Sequence, residues 1–139
     1  RIFAAAPLPV LLPLHPRTKK AIVEFDLSNY LEHTHIHIIE PIGFWETQSL
    51  IANCDKVLTD SGGVIKEAYF HGKYVIVLDK QTEWVEVINE ERGLVCGPNY
   101  TLVIENINNL TDFSTPNLSL GSGNASAIIA NAIALFITD

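Results

Sequence analysis

The sequence predicts an α/β fold built on a doubly wound parallel sheet, and three observations carry that expectation. Short apolar runs alternate with longer amphipathic ones, the pattern of βαβ units whose strands are covered on both faces. Glycines stand where helical runs must stop, Gly72 after the third and Gly93 after the fourth, each placed as a C′ residue. The third observation is a turn: the apolar run Val57-Leu58-Thr59 passes through Asp60-Ser61-Gly62-Gly63 directly into a helical pattern.

In chain order, residues 9–14 are the first apolar run and the first expected strand, and helix-like apolar spacing follows over 18–25. Strands over 35–39, 56–59 and 74–78 lead in the same way to helices over 45–53, 63–70 and 84–90, and 94–96 is the fifth strand. Residues 98–122 are richer in Asn, Thr and Ser, with a helix expected only over 101–110. Over 124–138, Ala127, Ile128, Ile129, Ala132, Ile133 and Phe136 recur at helical spacing, which predicts an amphipathic helix opened by an Asn cap. No internal repeat or linker divides the 139 residues, and one domain is expected.

Composition narrows the function classes. Apolar residues make up 47% and charged residues 18%, too apolar for disorder and too evenly interrupted for a membrane span. A formal net charge of -7 argues against nucleic acid, which needs clustered Lys and Arg. A small anion is still compatible, because backbone N–H groups at a helix N-terminus hold phosphate without net positive charge. Cys54 and Cys96 lack CxxC spacing, so buried thiols in a reducing cytoplasm are expected rather than a disulfide framework or zinc site. Asn-x-Ser/Thr triplets begin at Asn99, Asn109, Asn117 and Asn124; no signal peptide is expected ahead of them and they carry no weight. Met is absent throughout, and the chain is expected to be a piece of a longer protein.

The turn at Ser61-Gly62-Gly63 carries the chemistry. Without side chains, Gly62 and Gly63 let a ligand approach the backbone, and the first-turn N–H groups and helix dipole face it. That is a cradle for a diphosphate, to which Ser61 adds a hydroxyl, while Glu67, one turn on, can reach ribose hydroxyls. Glycine at a strand-to-helix turn also serves geometry alone, so the neighbouring residues matter.

Those neighbours resemble a known family. Thr59-Asp60-Ser61-Gly62-Gly63, followed by Lys66-Glu67-Ala68-Tyr69-Phe70, is similar to the signature of the non-hydrolysing UDP-N-acetylglucosamine 2-epimerases. Leu14-His15-Pro16-Arg17-Thr18, Pro41-Ile42-Gly43-Phe44, Thr82-Glu83-Trp84-Val85-Glu86 and Gly121-Ser122-Gly123-Asn124-Ala125-Ser126 agree in order and spacing. The resemblance implies a Rossmann-like domain, the C-terminal half of a glycosyltransferase-B type architecture, spanning 1–139 and lacking the N-terminal domain and its own first strand. It implies a UDP-sugar as partner, no cofactor, a cytoplasmic location, and proton-transfer carboxylates supplied by the missing domain. Apolar surface left open by the missing parts is expected to favour a homo-oligomer.

By the same resemblance His15 lies near the diphosphate and is the catalytic candidate, though a His after a strand also serves as a loop residue. Arg17 supports it or caps the next helix. Phe44 matches a position beside the uracil, with a core aromatic as the alternative. Ser61, Gly62, Gly63 and Glu67 are the main nucleotide-binding candidates. Glu83 and Glu86 follow a strand at the sheet's carboxyl edge and could hold sugar hydroxyls; Glu86 is equally explained by the helix dipole, and Thr82 is a candidate N-cap and binding residue.

Asp79 and Ile65 stand where the family usually has Arg and Gln, and Thr-Glu-Trp-Val-Glu resembles the UDP-2,3-diacetamido-glucuronate 2-epimerase branch. The hydrolysing branch, a glycosyltransferase of the same architecture and a non-catalytic nucleotide-binding domain are the alternative functions. His33, His35 and His37 alternate as strand neighbours do. No Cys or carboxylate cluster completes a metal site there and His33 precedes the strand, so no metal is expected.

Overall fold

The computed structural model describes residues 1–109 and 120–138. Strands form on the apolar runs: β1 (Val10–Pro13), β2 (Ile36–Ile39), β3 (Lys56–Thr59), β4 (Tyr74–Val77) and β5 (Gly93–Val95). Between them run α1 (Pro16–Glu24), α2 (Phe44–Asn53), α3 (Gly62–Phe70) and α4 (Val85–Asn89), and α5 (Tyr100–Asn108) and α6 (Ala125–Thr138) follow. Short 3-10 turns occupy Phe3–Ala5 and Ser28–Tyr30.

Every strand pairing among the described residues is parallel. The sheet expected from the sequence is two hydrogen-bonded ladders, β1-β2 and β3-β4-β5. Apolar runs show that a strand is buried but not which strand lies beside it; among the described residues β1 and β3 each pair along one edge only.

β4 is the centre of the larger ladder. Alternation sends Val75 and Val77 to one face, where Ile51 of α2, Ile65, Ala68 and Tyr69 of α3, and Val87 of α4 pack on them. Ile76 points to the other face, against Cys96 and Val103 of α5. Helices thus cover both faces, the doubly wound arrangement, and each fully buried Val or Ile contributes about 1.5–3 kcal/mol. The β1-β2 ladder is more open, with Leu11 and Ile38 exposed. The N-terminal turn links the two ladders: Ile2 packs on the Ile76 cluster, and His35 Nε2 lies 3.0 Å from the Phe3 carbonyl oxygen.

Helix boundaries differ from the sequence reading where caps decide them. α1 starts at Pro16 rather than Thr18, because Pro is preset for the first helical position and His15 supplies the cap. Gly72 (φ 69°) ends α3 as expected, its N–H on the Tyr69 carbonyl and that of Lys73 on Ala68. For α4 the left-handed C′ residue is Glu91 (φ 57°), not Gly93: Glu91 N–H reaches Ile88 and Arg92 N–H reaches Val87. Gly93 opens β5, where a Cβ would stand 2.8 Å from the Val75 carbonyl oxygen. It is required by close strand approach.

Asn99 caps α5 by accepting the Leu102 N–H; α5 ends at Asn108, and residue 110, the expected last position, lies outside the described residues, as does Asn117. Asn124 precedes α6, its side-chain oxygen accepting from the Ser122 hydroxyl. α6 carries no charged residue and leaves Ile128, Ile129, Ile133, Leu135, Phe136 and Ile137 exposed. Among the described residues no helix is long and apolar enough to cross a membrane.

Candidate functional site

The site is built at the carboxyl end of β3. Thr59 ends the strand and its hydroxyl oxygen accepts the Ser61 N–H at 3.0 Å, which turns the chain. Ser61 is the N-cap of α3: its carbonyl takes the Ile65 N–H, but its side chain makes no capping bond. Gly62, Gly63 and Val64 lead the helix and have no intrahelical acceptor for their N–H groups. A strand end, an uncommitted hydroxyl and a row of free N–H groups therefore converge, as the sequence predicts.

The structure adds two residues to this turn. A Cβ at Gly62 would fall 2.0 Å from Glu83 Oε1 and 3.3 Å from Trp84 Nε1, so the β4–α4 loop lies against the start of α3. Lys66, on the next turn, places its Nζ 4.8 Å from the centre of the Trp84 ring, within cation–π range. The indole Nε1 is buried with no acceptor among the described residues. Both residues lie in motifs visible in the sequence, but their meeting depends on β4 pairing with β3.

Thr82 is not the N-cap of α4. Its hydroxyl oxygen accepts the Trp84 N–H at 3.1 Å, so the helix starts one residue later than the sequence suggests, with Trp84 at the cap. Glu86 falls in the first turn of α4, where a carboxylate suits the dipole. Glu67 is half-buried one turn into α3, its backbone carbonyl accepting from His71.

His15, Arg17 and Phe44 lie after β1 and β2, and no hydrogen bond, ion pair or ring contact among the described residues joins them to the Gly62 turn. His15 caps α1, Nδ1 accepting the Arg17 N–H at 3.2 Å. Arg17 lies inside α1 and donates its backbone N–H to that cap, so the residue that caps the helix is His15 and not Arg17. Phe44 begins α2, is 58% exposed and meets the Trp45 ring edge-on at 5.2 Å; it is not a core aromatic. Ile65 is 2% exposed in the core, so its apolar character serves packing. Asp79 turns onto the Lys80 N–H.

Burial shifts protonation away from this turn. It pushes the Cys54 and Cys96 thiols and the Tyr74 hydroxyl up, and holds the Lys56 ammonium below its ordinary value. Lys56 reaches the carbonyls of Asn106, Ile107 and Asn109 at the end of α5. Among the described residues no group of three His, Cys, Asp or Glu side chains is placed to hold a metal. An apolar cavity of about 650 Å³ lies at the far end of α3, lined by Phe70, Leu120, Ile128 and the 121–125 segment.

The model of the UDP-N-acetylglucosamine 2-epimerase family matches residues 2–134. The chain belongs to that family. A UDP-N-acetylglucosamine 2-epimerase homolog of Methanococcus maripaludis is 36% identical over 126 residues, covering 89% of this chain and 35% of that protein. The UDP-2,3-diacetamido-2,3-dideoxy-D-glucuronate 2-epimerase of Pseudomonas aeruginosa is 39% identical over 97 residues, 70% of this chain and 26% of that one. The structure of the Methanocaldococcus jannaschii UDP-N-acetylglucosamine 2-epimerase in complex with UDP-N-acetylglucosamine and UDP superposes with a TM-score of 0.76 at 32% identity, over 90% of this chain and 35% of that one. The chain spans about a third of the length of such family members, and the α/β fold with parallel strands is theirs.

Proposed function

We propose that the chain is the nucleotide-binding, C-terminal domain of a cytoplasmic UDP-N-acetylglucosamine 2-epimerase of glycosyltransferase-B architecture, interconverting UDP-N-acetylglucosamine and UDP-N-acetylmannosamine. The observation that carries this reading is the uncapped start of α3 at Ser61, Gly62 and Gly63 in a chain whose family includes a structure with UDP bound. The route needs no cofactor. A base from the domain outside this chain takes the C2 proton, the anomeric C–O bond breaks, and UDP leaves with the bonding electron pair, giving a glycal. Re-addition of UDP with protonation of the opposite face of C2 completes the epimerisation. Negative charge grows on the diphosphate as it leaves, and the free N–H groups of α3 with the Ser61 hydroxyl stabilise it. Glu67 accepts hydrogen bonds from the ribose hydroxyls, and His15, Arg17 and Phe44 line the nucleotide from the β1-β2 side.

A second substrate, the UDP-diacetamido-glucuronate, is favoured by the 39% identity to the Pseudomonas enzyme and by Thr82-Glu83-Trp84-Val85-Glu86. Assays of the full-length parent with both sugars discriminate the two. Calorimetric titration of UDP into the wild-type chain and Glu67→Ala tests the nucleotide site. Replacement should cost about 1.5–3 kcal/mol of binding, the range for hydrogen bonds to a charged group, with the melting temperature little changed. Equal affinities in two well-folded proteins would remove Glu67 from the site.

A further inference from the structure

Among the described residues nothing holds the Glu83 carboxylate in place by a directed bond. It sits on the first residue of α3, close enough that a Cβ at Gly62 would overlap Oε1 at 2.0 Å and lie 3.0 Å from Cδ. No hydrogen bond or ion pair to it is found among the described residues, α3 carries no side-chain cap, and the residue is exposed. What favours a carboxylate there is the positive end of the helix, the same field that favours a phosphate.

Trp84 is the opposite case. Its backbone N–H is pinned to the Thr82 hydroxyl at 3.1 Å and its ring lies under the Lys66 ammonium at 4.8 Å. The buried Nε1–H has no acceptor among the described residues, although it lies 3.3 Å from the point where a Gly62 Cβ would be. A buried donor without an acceptor carries a desolvation cost that an arriving acceptor would relieve. One residue of the loop is free to leave the turn and its neighbour is held there with a bond unmade.

We propose that Glu83 is a stand-in for phosphate at the start of α3, displaced when the nucleotide diphosphate binds, and that the diphosphate then accepts a hydrogen bond from Trp84 Nε1. The proposal rests on the nucleotide reading above and specifies how the site is kept until it is filled. Glu83 and a phosphate are like charges and cannot share the turn, so Glu83 weakens ground-state binding. This assigns Glu83 a role other than holding sugar hydroxyls.

Titration calorimetry of the 139-residue chain with UDP and with uridine tests it, using Glu83→Ala, Glu83→Gln and Trp84→Phe, with Glu105→Gln as a remote charge control. Both Glu83 variants should bind UDP about two- to fivefold more tightly, the size of one carboxylate's interaction with a helix terminus, and the gain should shrink in high salt. Trp84→Phe should weaken UDP by about tenfold or more, as loss of a bond to a charged group does. Uridine, lacking phosphates, should respond to none of these changes, and Glu105→Gln should respond to neither ligand. UDP affinity that is unchanged or lower in folded Glu83→Ala overturns the displacement. UDP binding that Glu67→Ala weakens while the Glu83 and Trp84 variants match wild type overturns this proposal alone; no UDP binding by any form overturns the nucleotide reading with it.

Discussion

The Tyr69 hydroxyl donates to Glu90 Oε2 across 2.8 Å, joining the last turn of α3 to the C-cap of α4. Tyr69 is 2% exposed, so its phenol bridges the core and the loop layer that carries Glu83 and Trp84. Tyr69→Phe keeps the ring and removes this bond. The expected loss is about 1.5 kcal/mol of unfolding free energy, near the lower end for a bond to a carboxylate, because Glu90 is only half-buried and water can take over. Urea denaturation of both proteins measures it.

Gly62 is where a side chain would meet the loop. In Gly62→Ala the new Cβ displaces the flexible end of Glu83 and fills the approach to the first-turn N–H groups. UDP affinity should fall by about tenfold or more, the loss of at least one charge-assisted bond. Stability should change little, since Ala suits a helix better than Gly. A large drop in melting temperature with unchanged UDP affinity would make Gly62 a purely geometric glycine.

Glu91 holds a left-handed conformation at the end of α4, a region that costs non-glycine residues on the order of 1 kcal/mol. The side chain is exposed, so Glu91→Gly should stabilise the chain by several tenths to about 1 kcal/mol, less the entropy glycine adds to the unfolded state. Chemical denaturation reads the gain. An equal or less stable variant would show that the Schellman turn carries no strain.

Burial pushes the Cys96 thiol above its ordinary 9.0. The folded state therefore keeps its proton where the unfolded chain has released it. The stability this contributes is complete below pH 9.0 and is lost as pH rises through the folded value. Cys96→Val, which removes the titration and keeps an apolar side chain, should lose less stability than wild type as pH rises above 9.0. Identical alkaline slopes would contradict the burial effect.

The exposed apolar residues of α6 predict self-association of the 139-residue chain. Ile133→Glu with Phe136→Glu, at positions 54% and 86% exposed, should shift light scattering toward monomer without loss of helical content. A wild-type chain already monomeric at high concentration would refute this.

Much of the fold was legible because local signals do not depend on partners. Apolar runs located the five strands of the described residues, and β3, Lys56–Thr59, came at the expected residues. Gly72 ends α3 through its own backbone chemistry, as expected, whereas the starts that Pro16 and Asn99 set for α1 and α5 differ from the expected ones. Where packing overrode local propensity the sequence misled: Gly93 looked like the end of α4, but Glu91 takes the left-handed turn and Gly93 is needed by the close approach of the Val75 carbonyl.

The sequence by itself determined the family, through ordered motifs, and the Ser61-Gly62-Gly63 turn, because a strand, two glycines and a helix are contiguous in the chain. Only the tertiary structure decided that Glu83 and Trp84 lie on that turn, since they are 21 and 22 residues and a crossover away from Gly62 and meet it through the parallel register of β3 with β4. It also decided that the strands form two ladders and that Ile65 faces the core. Periodicity reports which face of an element is buried, but against what it is buried depends on chain topology.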